Sequence, residues 1–329
     1  MVKKFNIQNS TLIETEDENC RVIIYICPEQ EQIEEISKKY DIDKHTVDSA
    51  LDPDEISRME LEGENLFIIW KRPKNYISTD NFLFGVSSIG LFYFNDKLIV
   101  VLPEDIPLLE TKTQYQIIDV WDVVVNFLYN SIKHYLEHIK AIRLISREIQ
   151  VKINTSMENE YLIQMFNLSE SLIYYINAIS SNQTVLIKLR NYFEKQTNIP
   201  ERAELLEDIS IENNQCYKQA EIHSLVLSGL MDARGNIINN NMNMLLKNLT
   251  IINIIFLPLN LLAGIGGMSE YSMMTGGIDW KITYGVFLFA MVILGWITYK
   301  LLNRVTFMNK SSNLIRRTLY YKFKNKKVK

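Results

Sequence analysis

The sequence predicts an α/β domain followed by long stalk helices and two C-terminal transmembrane helices. Three observations carry this. Two apolar stretches without an acid lie close together near the C-terminus, at residues 249–265 and 282–302. The charge balance changes sign near Asn240, with 37 acids against 23 bases before it and 2 against 12 after it. From residue 117 to 228 glycine is absent and Pro200 is the one proline, and helical periodicity replaces strand-like sequence.

The first 116 residues read as the α/β domain, placed in the cytosol. The opening MVKKFNIQNSTLIETEDENC has two lysines but no apolar run behind them, so it is not a secretory signal. Residues 20–26 form a strand, and PEQEQIEEISKKYDI is a helix with Pro28 in its first turn. MELEGENLFIIWKRP is a hairpin turning at Gly63 to Asn65, and residues 81–103 supply two or three more strands, broken at Gly90 and at Asn95 to Asp96. Cys20, Cys27 and Cys216 are far apart, which indicates reduced residues rather than a disulfide or thiolate zinc site.

Residues 117–242 are a helical region and stalk. One helix ends near Lys152 and a second spans 160–196, where Met165, Leu172, Ile179, Leu186 and Phe193 recur every seven residues and mark a face packed on another helix. Pro200 opens a third, and no proline follows until Pro258, so one helix can continue through Asn240 into the membrane.

Residues 243–268 are the first span, 269–281 the extracytoplasmic loop, 282–302 the second span and 303–329 a basic cytosolic tail. A bilayer core of ~30 Å needs roughly 20 apolar residues, which both spans supply. Sixteen residues, GGMSEYSMMTGGIDWK, join the apolar stretches, so the spans are an antiparallel hairpin and the segment a tight loop. Nine bases after the second span, against Lys281 alone in the loop, place both termini in the cytosol of a multi-pass plasma-membrane protein.

The first span is polar in a pattern. Asn243, Leu246, Thr250, Asn253, Leu257, Asn260 and Gly264 follow one another by steps of three and four, tracing one helix face. Carboxamides in a span line a water-filled path or hold helices together by hydrogen bonds. A path lined by one helix per chain needs several copies around an axis, so self-association follows from that reading.

No phosphate-binding glycine loop is present and no Ser-His-Asp set can be picked out from the sequence order, so nothing argues for ATP use or hydrolysis; a non-enzyme with no covalently bound cofactor is expected. The basic tail is explained by topology and anionic lipid rather than nucleic acid. His134 and His138, four apart beside Glu137, present two imidazoles without the His-Glu-x-x-His order of a zinc site. Asp52, Asp54 and Glu55 around Pro53 belong to a turn or cap.

SGLMD at residues 228–232 and NMLLKNLTIINIIFLPLNLLAGIGGM at 243–268 resemble the stalk end and first span of the CorA-type magnesium transporters, around Pro258, the Ala263–Gly264 pair and the closing Gly267–Met268. ALDPDEISRMELEGENLFIIW, residues 50–70, resembles the cytosolic domain of the same family. The resemblance covers residues 20–305. It implies a funnel-shaped homopentamer with a pore along Asn243, Leu246, Leu249, Asn253, Leu257 and Asn260, Leu246 and Leu249 being hydrophobic constrictions. It further implies Mg²⁺ uptake driven by the membrane potential, Co²⁺ or Ni²⁺ permeation, and closure by cytosolic Mg²⁺ as regulatory ligand at Asp208.

The family's outer-mouth signature is Gly-Met-Asn, and here Ser269 follows Gly267 and Met268. Backbone carbonyls at the mouth can still meet a hydrated ion, and Glu270 can concentrate cations there. Two alternatives remain open: a zinc, cobalt or nickel transporter of the same superfamily, and a non-conducting membrane-anchored sensor.

Overall fold

The computed structural model describes residues 1–75, 82–94, 96–106, 115–155, 160–195 and 200–302. Two compact units divide between Asp232 and Ala233.

The first unit is built on a seven-stranded sheet in the order β2-β1-β3-β7-β6-β5-β4. The strands are β1 (Val2–Gln8), β2 (Thr11–Glu14), β3 (Val22–Ile26), β4 (Arg58–Glu62), β5 (Asn65–Pro73), β6 (Val86–Phe94) and β7 (Lys97–Leu102). Only β3 and β7 pair in parallel; the other neighbours are antiparallel. Helices α1 (Gln30–Tyr40) and α2 (Lys44–Ser49) cover one face, where Ile33, Ile36, Val47 and Ala50 meet Ile23, Phe67, Phe92 and Val101. Helices α3 (Val120–Thr155) and α4 (Glu160–Lys195) cover the other. The central strands are buried on both faces, hence the unbroken apolar runs NLFIIW and KLIVVL.

The hairpin at Gly63 and the seven-residue spacing of α4 agree with the sequence reading: β4 and β5 pair, and Met165, Leu172, Ile179, Leu186 and Phe193 are all buried. Three local features change or extend that reading. Pro28 precedes α1, whose N-cap is Glu29; its N–H donates to Gln32 Oε1 at 3.2 Å. Residues 1–14 form the β1–β2 hairpin, turned by Asn9 and Ser10 at φ 48° and 59°. Both positive φ values mark the turn type whose twist suits a two-residue hairpin loop.

The third change is Gly90, which sits inside β6 rather than breaking it. A Cβ there would lie 2.7 Å from the Ala50 Cβ and 2.8 Å from the Phe92 ring, so glycine is required by the close seating of α2 on the sheet. Gly90→Ala is expected to destabilise the protein by about 2 kcal/mol through overpacking, read as a lower urea midpoint at unchanged slope. Asn95, the other expected break, lies outside the described residues.

Helix α5 (Pro200–Gly266) is continuous over 67 residues, ~100 Å at 1.5 Å per residue. In the first unit its early turns are tied to their neighbours: Arg190 of α4 pairs with Glu207, and Arg202 pairs with Asp119 and lies over the Trp121 and Phe193 rings. Asn213 donates to the Ile179 carbonyl at 3.0 Å and to Gln183 Oε1 at 2.8 Å.

Candidate functional site

In the second unit, α5 packs against α7 (Trp280–Leu302), and that packing decides which face of α5 is left open. From Ile251 onward the half-buried residues of α5 are Ile251, Ile255, Pro258, Leu259, Leu262 and Gly266, on one helix face. On α7 the half-buried set is Thr283, Phe287, Met291, Leu294, Gly295, Thr298 and Leu302. Small residues let the helices approach: a Cβ on Gly295 would lie 3.9 Å from Leu259, and one on Gly266 would lie 2.8 Å from the Phe287 ring.

At ~100° per residue, Leu259 and Gly266 lie about 140–160° around the helix from the centre of the asparagine stripe. Asn243, Leu246, Leu249, Asn253, Leu257 and Asn260 are all exposed on the protomer, with Leu246, Leu249 and Leu257 at 53%, 58% and 72%. Thr250, on the same stripe, donates its hydroxyl back to the Leu246 carbonyl at 2.8 Å. Nothing lies within 4 Å of a Cβ placed on Gly264. The carboxamides therefore do not glue α5 to α7: they occupy the face that α7 leaves bare. No residue in the apolar windows of α5 and α7 is buried, unlike the core helices of a soluble protein.

The signature closes α5. The Gly267 N–H donates to the Ala263 carbonyl at 3.1 Å, and the Met268 N–H to Ile265 at 3.1 Å. A helix C-terminus carries about half a negative charge on its unpaired carbonyls, which suits a cation. Met268 caps a further helix, α6 (Ser269–Thr275), with backbone extended at φ −81° and ψ 146°. The segment expected to be a tight loop thus contains two helical turns. Glycine-rich composition hid them, because the glycines bracket α6 at 266, 267, 276 and 277 rather than interrupt it. Ser269 is exposed at its start. Glu270 is the second residue of α6, but its side chain lies outside what is described, as does the whole basic tail, 303–329.

Asp208 is exposed on α5 in the first unit. No group of three or more His, Cys, Asp or Glu side chains among the described residues is placed to hold a metal within one chain.

The half-buried histidines join a polar cluster with the buried Arg72 and Tyr175. The Tyr175 hydroxyl and His138 Nδ1 share a hydrogen bond at 2.6 Å, and Arg72 Nη2 lies 3.4 Å from His134 Nδ1. The two imidazoles stand 4.4 Å apart, and Arg72 faces Glu104 at 3.6 Å. Burial, then His134 and Arg72, hold His138 neutral, with its pKa pushed down to about 4. An unfolded histidine titrates near 6.5, so this contribution to stability is intact above that pH and is lost as pH falls toward about 4. The full loss is about 3 kcal/mol, and His138→Gln should flatten the fall in melting temperature between those pH values.

Asp52 and its neighbours behave as a turn: the Asp54 N–H donates to Asp52 Oδ1 at 2.9 Å, and Glu55 pairs with Arg58 at 2.6 Å.

Comparison with known proteins agrees with this architecture. The family model described as "CorA-like Mg2+ transporter protein" matches residues 23–304. The cobalt/magnesium transport protein CorA of Methanocaldococcus jannaschii is 24% identical over 282 residues, covering 82% of this chain and 86% of its own. The complete structure of the CorA magnesium transporter from that organism superposes with a TM-score of 0.71 at 18% identity, over 92% of this chain and 98% of that one. The full-length CmaX protein gives 0.67 at 13% identity, over 92% and 97%. With an α/β unit, a long helix and two C-terminal apolar helices in the family's order, and a match across most of its length, the chain belongs to the CorA-like Mg²⁺ transporter family of divalent-cation membrane transporters and is not an enzyme.

Proposed function

We propose that the protein is a channel for Mg²⁺, which enters down the membrane potential along the exposed stripe of α5. The observation that carries this is the opposition of faces: α7 takes the side of Leu259 and Gly266, while the three carboxamides look away from it. Exposed to lipid, each would be an unsatisfied polar group; turned toward an axis shared by several copies, each meets water and ions. Five copies, as the family resemblance implies, would surround the axis, with Leu246 and Leu249 forming apolar constrictions that close by dewetting. Gly267, Met268 and Ser269 would form the outer mouth, and both chain ends would face the cytosol of a plasma-membrane protein.

Purified protein in liposomes tests this directly. Mg²⁺ entry that rises with an imposed internal negative potential supports the channel, with Co²⁺ and Ni²⁺ expected to permeate as well. Flux of a transition metal alone would replace Mg²⁺ by the second reading, which Ser269 in place of asparagine keeps open. Absence of flux for any divalent ion would leave a membrane-anchored sensor.

Cytosolic Mg²⁺ is further proposed to close the channel by bridging Asp208 to carboxylates of a neighbouring copy. Asp208→Ala is then expected to shift half-inhibition by internal Mg²⁺ roughly tenfold upward, the equivalent of ~1.4 kcal/mol of lost ligand binding. Unchanged inhibition removes Asp208 from regulation.

A further inference from the structure

The segment joining α5 to α7 borders, with the ends of both helices, a half-open cavity of about 810 Å³. Four aromatic side chains stand among its walls, Tyr271 from α6 and Trp280, Tyr284 and Phe287 from the first turns of α7, between small and polar residues such as Ala263, Thr275 and Thr283. Tyr271 and Phe287 are half-buried with ring centroids 5.9 Å apart, while Trp280 and Tyr284 are 67% and 63% exposed at the rim. One carboxylate, Asp279, joins this wall, and no lining residue among those described is positively charged.

Aromatic faces carry negative quadrupole potential and attract weakly hydrated cations, above all substituted ammonium ions. Mg²⁺, small and reluctant to shed water, gains little from such a wall. The chemistry is already in use here, since Lys281 Nζ lies 5.8 Å from the centre of the Trp280 ring. We infer that this cavity binds a substituted ammonium group, supplied either by the headgroup of a zwitterionic lipid or by a soluble organic cation. The inference does not rest on the channel reading, because it concerns binding and is measured without flux.

Asp279 gives the means of testing it. Its Oδ1 accepts the Lys281 N–H at 3.1 Å, and its carbonyl accepts the Ile282 N–H at 3.0 Å, so the residue also caps α7. Asparagine caps a helix about as well as aspartate, so Asp279→Asn removes the charge and keeps the cap.

Full-length protein carrying Trp296→Phe is placed in nanodiscs of phosphatidylglycerol, which has no ammonium group, and titrated with tetramethylammonium. Binding is followed by calorimetry and by Trp280 emission; the remaining tryptophans, Trp70 and Trp121, are fully buried in the first unit. Saturable binding is expected, weakened roughly tenfold by Asp279→Asn, or ~1.4 kcal/mol. Trp280→Ala is expected to abolish it. Melting temperature and elution volume of both variants, unchanged from the parent, establish that they fold. Repeating the titration in phosphatidylcholine separates the sources: a weaker apparent affinity means the lipid headgroup competes for the cavity, and an unchanged one means the site takes the soluble ion. No saturable binding in ammonium-free lipid overturns the assignment, as it would if a neighbouring copy filled the cavity, and so does equal affinity in parent and Asp279→Asn.

Discussion

Asn253→Leu should cut divalent-cation entry into liposomes by at least about tenfold, the effect of ~1.4 kcal/mol on a barrier, while moving the melting temperature little. The substitution replaces a carboxamide by an isobutyl group of similar size. Asn253 is exposed on the protomer and lies on the side of α5 that α7 does not touch, so no contact between these helices is lost. What changes is the lining. A carboxamide can replace part of an ion's outer water, whereas leucine would add an apolar ring next to the constrictions proposed at Leu246 and Leu249.

Leu259→Asn is the counterpart on the opposite face, where a Cβ on Gly295 would approach to 3.9 Å. It should lower the melting temperature and the yield of assembled protein. Full flux in Asn253→Leu would move the path away from this stripe.

Asn182→Ala should cost the first unit about 3 kcal/mol, read as a fall in the urea midpoint. Asn182 is fully buried on α4. Its Nδ2 donates to the Lys71 carbonyl at 2.7 Å, and its Oδ1 accepts the Lys71 N–H at 3.1 Å and the Ser57 hydroxyl at 2.7 Å. β4 begins only at Arg58, paired with Ile69, so at the level of Lys71 the edge of β5 has no strand partner. A carboxamide carries the same donor and acceptor as a peptide group, and Asn182 supplies the missing rung. Alanine leaves the Lys71 N–H and carbonyl unsatisfied in a dry interior, the costly half of the hydrogen-bond ledger. Asn182→Asp should be at least as damaging at neutral pH, since it loses the donor and buries a charge.

The sequence reading reached what depends on near neighbours along the chain. Seven-residue spacing in α4, the turn at Gly63 and the length of the C-terminal apolar stretches are local patterns, and each appears in the structure as expected. Asn243, Asn253 and Asn260 were legible as one face because helical geometry alone places them there.

Other features were beyond local reading. Gly90 looks like a strand break until Ala50, forty residues earlier, is packed against it. The β1–β2 hairpin hid in a polar segment without glycine at the turn, and α6 hid between pairs of glycines. Asn182 reads as an ordinary polar position on a long helix, and only its placement beside the unpaired edge of β5 makes it a rung of the sheet.

By itself, then, the sequence determined the order of the parts, the two apolar helices and the presence of a polar stripe, because period and composition set which elements form. Only the tertiary structure decided that α7 packs on the far side of α5 from that stripe, because the partner of a helix face depends on where small and large residues of a distant segment fit, as Gly295 does against Leu259.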